Sequence, residues 1–355
     1  MKQKSLKEIS WDVPESTYRE DPSLSYSTIS TYERSGFNGL ETLYDRKDSP
    51  SLTFGSAVDA IITGGQEEFD SRFLVADFPD MSEKATKIIR ELFVNNHISY
   101  RSFDDIPDAI VLDVINKYEY WNNCKSETKI TKLKNEGVSS YYDLLFLSEN
   151  KTLISSQVYE DILNSVRALK ESNSTREYFK DDSPFDDSIE HLYQLKFKTV
   201  LDGVPYRCMS DLLIVDYKSK TVQPIDLKTS SHTEWDFFKS FIQWNYQIQA
   251  RLYWRIIRDV MNKDSYFKDF VLKNYKFIVV NKTTLTPLVW SFPYTKSLGT
   301  LSIKTADPNK VVIFKDPEVI GKELYKYLQN KPSVPEGISL TGDNNIVDWI
   351  EKGYD

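Results

Sequence analysis

The run of residues 206–229 limits most strongly what this chain can fold into, because it has the pattern of a two-stranded hairpin. Apolar residues 212–215 and 222–227 flank the polar residues 216–221, which have the composition of a hairpin loop. Pro224 interrupts the second apolar stretch. Since proline cannot donate to a strand ladder, it predicts an edge position or a bulge there, and the register could slip by one residue.

Two carboxylates and one ammonium meet on this predicted hairpin. If the turn is centred between Lys218 and Ser219, Asp211 and Asp226 lie opposite each other, with Cβ atoms roughly 5 Å apart. Lys228 follows Asp226 by two residues, so the strand period of two places its amine on the same face. Two carboxylates this close repel each other unless a proton or a cation sits between them. The arrangement predicts a site for a divalent metal with oxygen ligands.

An alternative interpretation is that these are ordinary charges at the ends of strands, because 28% of the chain is charged. The Asp-x-Lys spacing also occurs at Asp45-Arg-Lys47 and Asp216-Tyr-Lys218. Neither of these has the hairpin setting, since Asp216 falls in the predicted turn itself.

Composition restricts the chemistry of any metal site. The 355 residues suffice for one large domain or two smaller ones, and 40% are apolar. The sequence contains two cysteines and three scattered histidines: Cys124, Cys208, His97, His191 and His232. These are too few for a disulfide framework, a four-thiolate zinc site or an iron–sulfur cluster, so oxygen ligands, and with them Mg²⁺ or Mn²⁺, are expected.

The ends and the charge of the chain bear on its location and partners. The N-terminus lacks an apolar signal segment, and no stretch of about 18 apolar residues occurs, which predicts a soluble cytoplasmic protein. The net charge of −8 speaks against non-specific adhesion to nucleic acid.

Periodicity divides the chain into a helical and a strand-rich part. Helical spacing is predicted for a short helix from Ser25, a buried helix at 54–62, and the segments 83–94, 109–121, 157–172, 234–261 (broken near 243–245) and 316–329. Strands are predicted at 191–200, 204–215, 222–227, 275–281 and 287–292. This order indicates an α/β or α+β fold. We therefore predict a mostly helical region 1–185, a core 186–300, and a C-terminal helix and tail 301–355. The three regions are expected to form one compact unit.

Four local patterns resemble the RecB-like branch of the PD-(D/E)XK nucleases, and among these the RecE-type phage and prophage exodeoxyribonucleases. They lie in the order that the family shows: a serine-rich opening helix at 24–32, a Gly-x-x-x-His-like helix at 54–59, the pair Ser210-Asp211 and Asp226-Leu-Lys228, and a Gln-x-x-x-Tyr-like motif at 246–253. Ser210 stands where the family name has proline, and Asp59 stands where the family has histidine.

The resemblance implies a restriction-endonuclease-like core with a mixed central sheet flanked by helices. It implies a Mg²⁺- or Mn²⁺-dependent exonuclease that hydrolyses DNA at duplex ends in phage recombination or replication. An endonuclease or nickase of the same fold, and an inactive DNA-binding or assembly module, are the alternatives. DNA is the implied partner, with a single-strand annealing protein and a second copy of the chain as further candidates, in the cytoplasm of a bacterial host.

The same resemblance assigns the metal ligands. Asp211, Asp226 and the Leu227 carbonyl would hold one or two metal ions, together with Asp59, whose carboxylate can replace the family's histidine as a hard ligand. The loss of that histidine could instead mark an inactive enzyme. Glu190, at the start of the first predicted strand, is a further candidate ligand or an exposed strand-end glutamate.

Lys228 would orient or deprotonate the attacking water, or neutralise charge in the transition state. Gln249 and Tyr253 stand four residues apart, so on a helix they share a face and can point together at the site. Tyr253 is otherwise a packing residue. The three arginines of this helix lie on another face, where they could follow phosphates or form a solvated charged surface: Arg251, Arg255 and Arg258.

Overall fold

The computed structural model describes residues 3–40, 43, 49–149, 151–180, 182, 186–293, 299, 301–304 and 311–330. The predicted C-terminal tail after the last helix lies outside these residues. Within them the chain is a mixed α/β protein, in which helices cover both faces of a central sheet.

The helices occur mainly in the first half of the chain. Their bounds are α1 Glu15–Glu20, α2 Tyr26–Ser35, α3 Pro50–Arg72, α4 Glu83–Asn96, α5 Asp108–Lys117, α6 Ser126–Asn135, α7 Val138–Leu147, α8 Ser156–Glu171, α9 Phe237–Gln243, α10 Tyr246–Lys263 and α11 Pro317–Asn330. The predicted break between two helices near 243–245 is confirmed. Asn245 adopts a left-handed conformation (φ 55°), which ends one helix and starts the next.

The strands form one large sheet and two small ones. Their bounds are β1 Phe73–Val75, β2 Thr152–Ile154, β3 Ile189–Leu201, β4 Val204–Asp216, β5 Thr221–Ser230, β6 Val271–Leu272, β7 Tyr275–Asn281, β8 Pro287–Phe292, β9 Leu301–Lys304 and β10 Val311–Phe314. The large sheet has the order β3-β4-β5-β7-β8, with β6 also paired to β5. Because β5 runs parallel to β6 and β7 while its other neighbour is antiparallel, the sheet is mixed, as predicted.

The hairpin of β4 and β5 has the predicted register, from Asp216↔Thr221 to Leu212↔Ile225. Pro224 pairs with Leu213 without a bulge, in a strand that is interior to the sheet. The N–H that proline lacks would face the other side of β5. On that side β5 pairs with β6 at Thr221 and Val222 and with β7 from Ile225 onward, so no ladder bond is lost at Pro224. Proline therefore occupies the gap between two parallel ladders, and the prediction of an edge position or a bulge at Pro224 is wrong on both counts.

Two hydrophobic layers enclose the large sheet. Helices α3 and α8 pack on one face, against the side chains of Leu212 and Ile225, among others. Helices α2, α9, α10 and α11 pack on the other face, around a core that includes Leu213 and Val215. Helices α4–α7 enclose a third core of their own and connect β1 to β2.

No helix in the described ranges is long and apolar enough to cross a membrane.

Candidate active site

Asp211 and Asp226 stand directly across from each other where β4 and β5 separate. The last paired residues are Leu212 and Ile225, so the next position in the same register places the two aspartates opposite each other. Beyond this point β5 continues only with β7 on its other side, where Asp226 pairs with Phe277. The strands thus open a gap whose two edges each carry a carboxylate.

The carboxylate of Asp211 partly fills this gap. Its Oδ2 accepts a hydrogen bond from the backbone N–H of Leu227, at 2.8 Å, which replaces a strand-to-strand bond. Burial raises the pKa of Asp211 well above its usual range, and the charges of Asp226 and Asp59 raise it further, against the opposing effect of Lys228. The protein therefore resists holding a charged carboxylate at this position when no cation is bound.

Asp226 is 1% exposed and has a partner on each side. Its Oδ1 accepts a hydrogen bond of 2.5 Å from Nε2 of Gln249 on α10. Its Oδ2 forms an ion pair with Lys228, although the geometry is not that of a hydrogen bond. Asp226, Lys228 and Gln249 are therefore brought together on one face of the sheet, as the sequence predicts.

Lys228 lies between this carboxylate and an aromatic ring. Its Nζ is 5.1 Å from the ring centroid of Tyr246, the first residue of α10. Burial lowers the pKa of Lys228, but the charge of Asp226, with smaller contributions from Tyr246 and Asp211, raises it overall. The metal-free arrangement thus favours the charged ammonium.

Helix α2 fixes the start of α10, and with it Tyr246. The carbonyl of Trp244 accepts hydrogen bonds from Tyr26 Oη at 2.6 Å and from Ser30 Oγ at 3.2 Å. The side chain of Ser25 caps α2 and so sets the position of both donors. The serine-rich segment thereby supports the site without entering it.

Asp59 reaches the site from α3, which packs on the opposite face of the sheet. The helix comes close to β5 at Gly55, where an added Cβ would lie 3.2 Å from the hydroxyl of Thr229. One turn later, both carboxylate oxygens of Asp59 accept from Nε2 of Gln194, at 3.0 and 2.9 Å. Burial raises the pKa of Asp59 to about 7; Arg72 opposes this and the charge of Asp226 adds to it.

Gln194 is a site residue that the sequence reasoning missed. It lies on β3 across from Asp211, between the pairs Tyr193↔Leu212 and Leu195↔Ser210, with a left-handed φ of 53°. A signal existed: Gln194 precedes the Asp202-Gly203 turn by as many residues as Asp211 follows it. The turn arithmetic that pairs Asp211 with Asp226 would have found it.

Of the two remaining predicted site residues, Glu190 lies away from the carboxylates and Tyr253 packs near them. Glu190 is four residues from Gln194 along β3, about 13 Å at the usual strand rise. It binds Ser5 Oγ at 2.8 Å and the hydroxyl of Tyr217, so the structure does not bring it to the carboxylates. Tyr253 is buried edge-on to Tyr275, with ring centroids 6.4 Å apart. Burial raises the pKa of Tyr253 and the charges of Asp226 and Asp211 add to this, so Tyr253 packs near the carboxylates.

The oxygen atoms at the strand gap determine which cation the site can hold. Among the described residues, no three acidic, histidine or cysteine side chains lie close enough together to hold one metal ion. Two carboxylates, however, are a common protein contribution to a magnesium site, since water and substrate phosphate supply the rest. Gln249 Oε1 is also a buried oxygen without a hydrogen-bond donor, while Asp226 Oδ2 faces the Lys228 ammonium. The pair Asp211 and Asp226 fits a cation, and Asp59 is close enough to affect both electrostatically.

The arginines of α10 do not form a surface for phosphates. Arg251 and Arg255 are buried, and both contact Asp316, just before α11. Arg258 donates to the carbonyl of Phe270 at 2.6 Å. Arg251 and Arg255 are buried in ion pairs and Arg258 is half-buried against a backbone carbonyl, so the three arginines form neither a phosphate track nor a solvated charged face.

Comparisons with known proteins give little further information. No protein-family model matches the chain, and no curated protein matches it. Among solved structures, one similar chain is a protein from Eubacterium rectale described as a putative exonuclease. It is 13% identical, with a TM-score of 0.39, over 91% of this chain and 85% of that one. The functional proposal therefore rests on the site's own geometry.

Proposed function

We propose that this chain is a divalent-metal-dependent nuclease that hydrolyses phosphodiester bonds of DNA, with a core of the PD-(D/E)XK type. The observation that carries the proposal is the placement of Asp211 and Asp226 across a strand gap, with Lys228 on the same face and paired to Asp226. Two facing carboxylates supply a cation site, and the ammonium supplies a fixed positive charge beside it.

The residues would divide the work as follows. Asp211 and Asp226 would hold a Mg²⁺ or Mn²⁺ ion, with the Leu227 carbonyl as a further ligand. Since no three acidic side chains of the described residues lie close enough to hold one ion, Asp59 would be a ligand of a second ion and not a third carboxylate on the first. A bound divalent cation lowers the pKa of water and offsets the negative charge of a phosphate. Lys228 would hold its proton and face the phosphate oxygens as charge develops on them.

Gln249 would act as a positioning residue. Its amide N–H₂ must face Asp226, since the reverse orientation would place two oxygens against each other. The bond fixes the orientation of the Asp226 carboxylate, so that its Oδ2 is directed toward Lys228. A carboxylate held in this way needs little reorganisation when a cation binds.

We further propose exonuclease action at DNA ends, in recombination or replication of a phage type, on the strength of the sequence resemblance. The test is incubation of purified protein with linear and with covalently closed circular duplex DNA, each with Mg²⁺, Mn²⁺ or EDTA. Degradation of linear DNA alone supports the exonuclease, and cutting of both substrates identifies an endonuclease. An absence of cleavage in both metals would contradict the nuclease proposal and favour a DNA-binding module.

A further inference from the structure

A cleft of about 280 Å³ lies next to Lys228, and none of the catalytic roles above uses it. Tyr246 connects it to the site, because Tyr246 lines the cleft and its ring centroid lies 5.1 Å from the Lys228 ammonium. The remaining walls come from the first turn of α3, the end of β5 and helix α9. They carry five hydroxyl side chains, Ser51, Thr229, Ser230, Ser231 and Ser240.

One wall of the cleft is an aromatic residue on a rigid backbone. Trp244 is 43% exposed, although its carbonyl is held by Tyr26 and Ser30. The guanidinium of Arg34 lies 5.2 Å from the centroid of the Trp244 ring. A partly exposed indole that is fixed in this way offers a flat surface on which a nucleobase can stack, whatever its sequence.

The rim of the cleft carries a positive charge. Within the described ranges, the ammonium of Lys282 has no carboxylate partner, and its side chain is exposed. The backbone around it is fixed, because Lys282 N–H donates to Ser230 at 3.1 Å and the buried Asn281 donates to the carbonyl of His232 at 2.7 Å. An ammonium and several hydroxyl donors in one place are the groups that contact a phosphodiester backbone.

We infer that this cleft binds one unpaired nucleotide of the DNA strand whose neighbouring phosphodiester lies at Asp211, Asp226 and Lys228. The inference rests on the proposed nuclease function and specifies its substrate. The volume is of the order of a single nucleotide, and a base stacked on Trp244 cannot remain paired to a second strand. The strand that enters the site is therefore single-stranded, either as an overhang or as a melted end.

The test measures binding apart from cleavage. Anisotropy of a fluorescein-labelled oligothymidylate is titrated with protein in EDTA, which prevents metal-dependent hydrolysis. Trp244→Ala should weaken binding about tenfold, the effect expected from loss of one stacked base, while Trp244→Phe should retain most of it. The matched control is Trp121→Ala. Trp121 stacks on Tyr120 and packs against the separate core of helices α4–α7, which shares no residue with the cleft.

A second measurement tests the phosphate contact. Lys282→Gln should reduce the slope of log K against log salt concentration by about 0.7, the value for one contact to a single strand. Lys268→Gln, an exposed lysine near the opposite end of β5, should leave the slope unchanged. Equal salt slopes for the Lys282 and Lys268 variants would contradict the phosphate contact, and with it the proposed occupant of the cleft.

The outcomes separate this inference from the nuclease proposal. Trp244-dependent binding without any cleavage in Mg²⁺ or Mn²⁺ would support the cleft and overturn the nuclease. Cleavage by the wild type, with Trp244→Ala indistinguishable from Trp121→Ala in both oligonucleotide affinity and KM, would overturn the cleft alone. Failure of the folded wild-type protein to bind the oligonucleotide would also overturn it. Melting temperatures of all variants identify any loss of affinity that arises from unfolding.

Discussion

Asp211 and Asp226 follow the last pair of β4 and β5, Leu212 and Ile225, and the register of the hairpin places them across from each other. The backbone N–H that a continuing ladder would use donates instead to the Asp211 side chain, from Leu227. The two carboxylates are therefore placed by strand register and not by a mobile loop. Because burial and mutual repulsion disfavour the charged form of Asp211, the metal-free site stores unfavourable energy that a cation would relieve.

Substitution of the central residues should separate chemistry from folding. Asp226→Asn and Lys228→Ala should each reduce metal-dependent DNA cleavage by at least about 100-fold, since they remove a ligand and the fixed charge respectively. Asp211→Asn should also abolish cleavage, yet it should not lower the melting temperature in EDTA, because a neutral side chain replaces a disfavoured anion. Cleavage rates and circular-dichroism melts of the same preparations provide the measurement.

Lys276 offers a matched control for the lysine. It lies on the neighbouring strand β7 and donates to the hydroxyl of Tyr178 at 2.6 Å, away from the carboxylates. Lys276→Ala should retain cleavage. Retention of activity in both Asp226→Asn and Lys228→Ala would move the chemistry elsewhere in the molecule.

Asp59 should contribute to metal affinity more than to stability. Mn²⁺ should raise the melting temperature of the wild type, because it binds only the folded site. At a free Mn²⁺ concentration of 100 times Kd, the free energy of unfolding should rise by about 2.7 kcal/mol. Asp59→Ala should weaken Mn²⁺ binding in calorimetry, whereas Asp70→Ala, an exposed aspartate on the same helix, should not. Asp59→His introduces the histidine found in the nucleases that the sequence resembles, and it should keep some activity. Equal affinity in Asp59→Ala and Asp70→Ala would remove Asp59 from the ligand set.

The sequence predicts that Asp211, Asp226 and Lys228 come together, because the register of a hairpin follows from the position of its turn. Counting outward from the turn after Asp216 is enough to pair Asp211 with Asp226, and period two then adds Lys228. Turn position also places Gln194 opposite Asp211, but it does not give the direction in which the side chain of Gln194 points. There the alternation of buried side chains changes phase, since Leu192 and Leu195 face the same core, and no local pattern encodes that kink.

The burial of Arg251 and Arg255 is a second feature that cannot be predicted from the sequence. Helical spacing correctly groups Arg251 with Arg255, but spacing alone cannot show that a later segment will cover them. Their partner Asp316 is more than 60 residues away along the chain. Contacts of this range depend on the packing of α11 over α10, which no local motif specifies.

The contribution of Asp59 to the stability of the metal-free protein should fall as pH rises from about 4 to 7. The folded-state pKa of Asp59 is about 7, against about 3.9 in an unfolded chain, so the folded form keeps a proton that the unfolded form has lost. Stability is then highest below the unfolded pKa, and this contribution is lost as pH approaches the folded one. Urea denaturation in EDTA at several pH values measures it, and Asp59→Asn should give a flatter profile. Parallel profiles for both proteins would show that Asp59 is ordinarily ionised.

The bond from Gln249 to Asp226 allows a test of positioning within one helix. Gln249→Ala leaves Asp226 Oδ1 buried without a donor, which should cost about 1–3 kcal/mol of folding free energy and also reduce cleavage. Gln247 is the matched control: it is equally buried, two residues earlier, and accepts from Arg251 at 3.1 Å. Gln247→Ala should lose stability with kcat unchanged.

A conservative substitution distinguishes orientation from packing. Gln249→Glu keeps the shape of the side chain but replaces the donor with an acceptor, so it places a third negative charge against Asp226 and Asp211. Cleavage should fall further than in Gln249→Ala when measured near pH 8, where the new carboxylate is ionised, and recover in part as pH falls toward 6. If Gln249→Glu were as active as the wild type across this range, the amide would serve only to fill space, and the assignment of Gln249 as a positioning residue would be wrong.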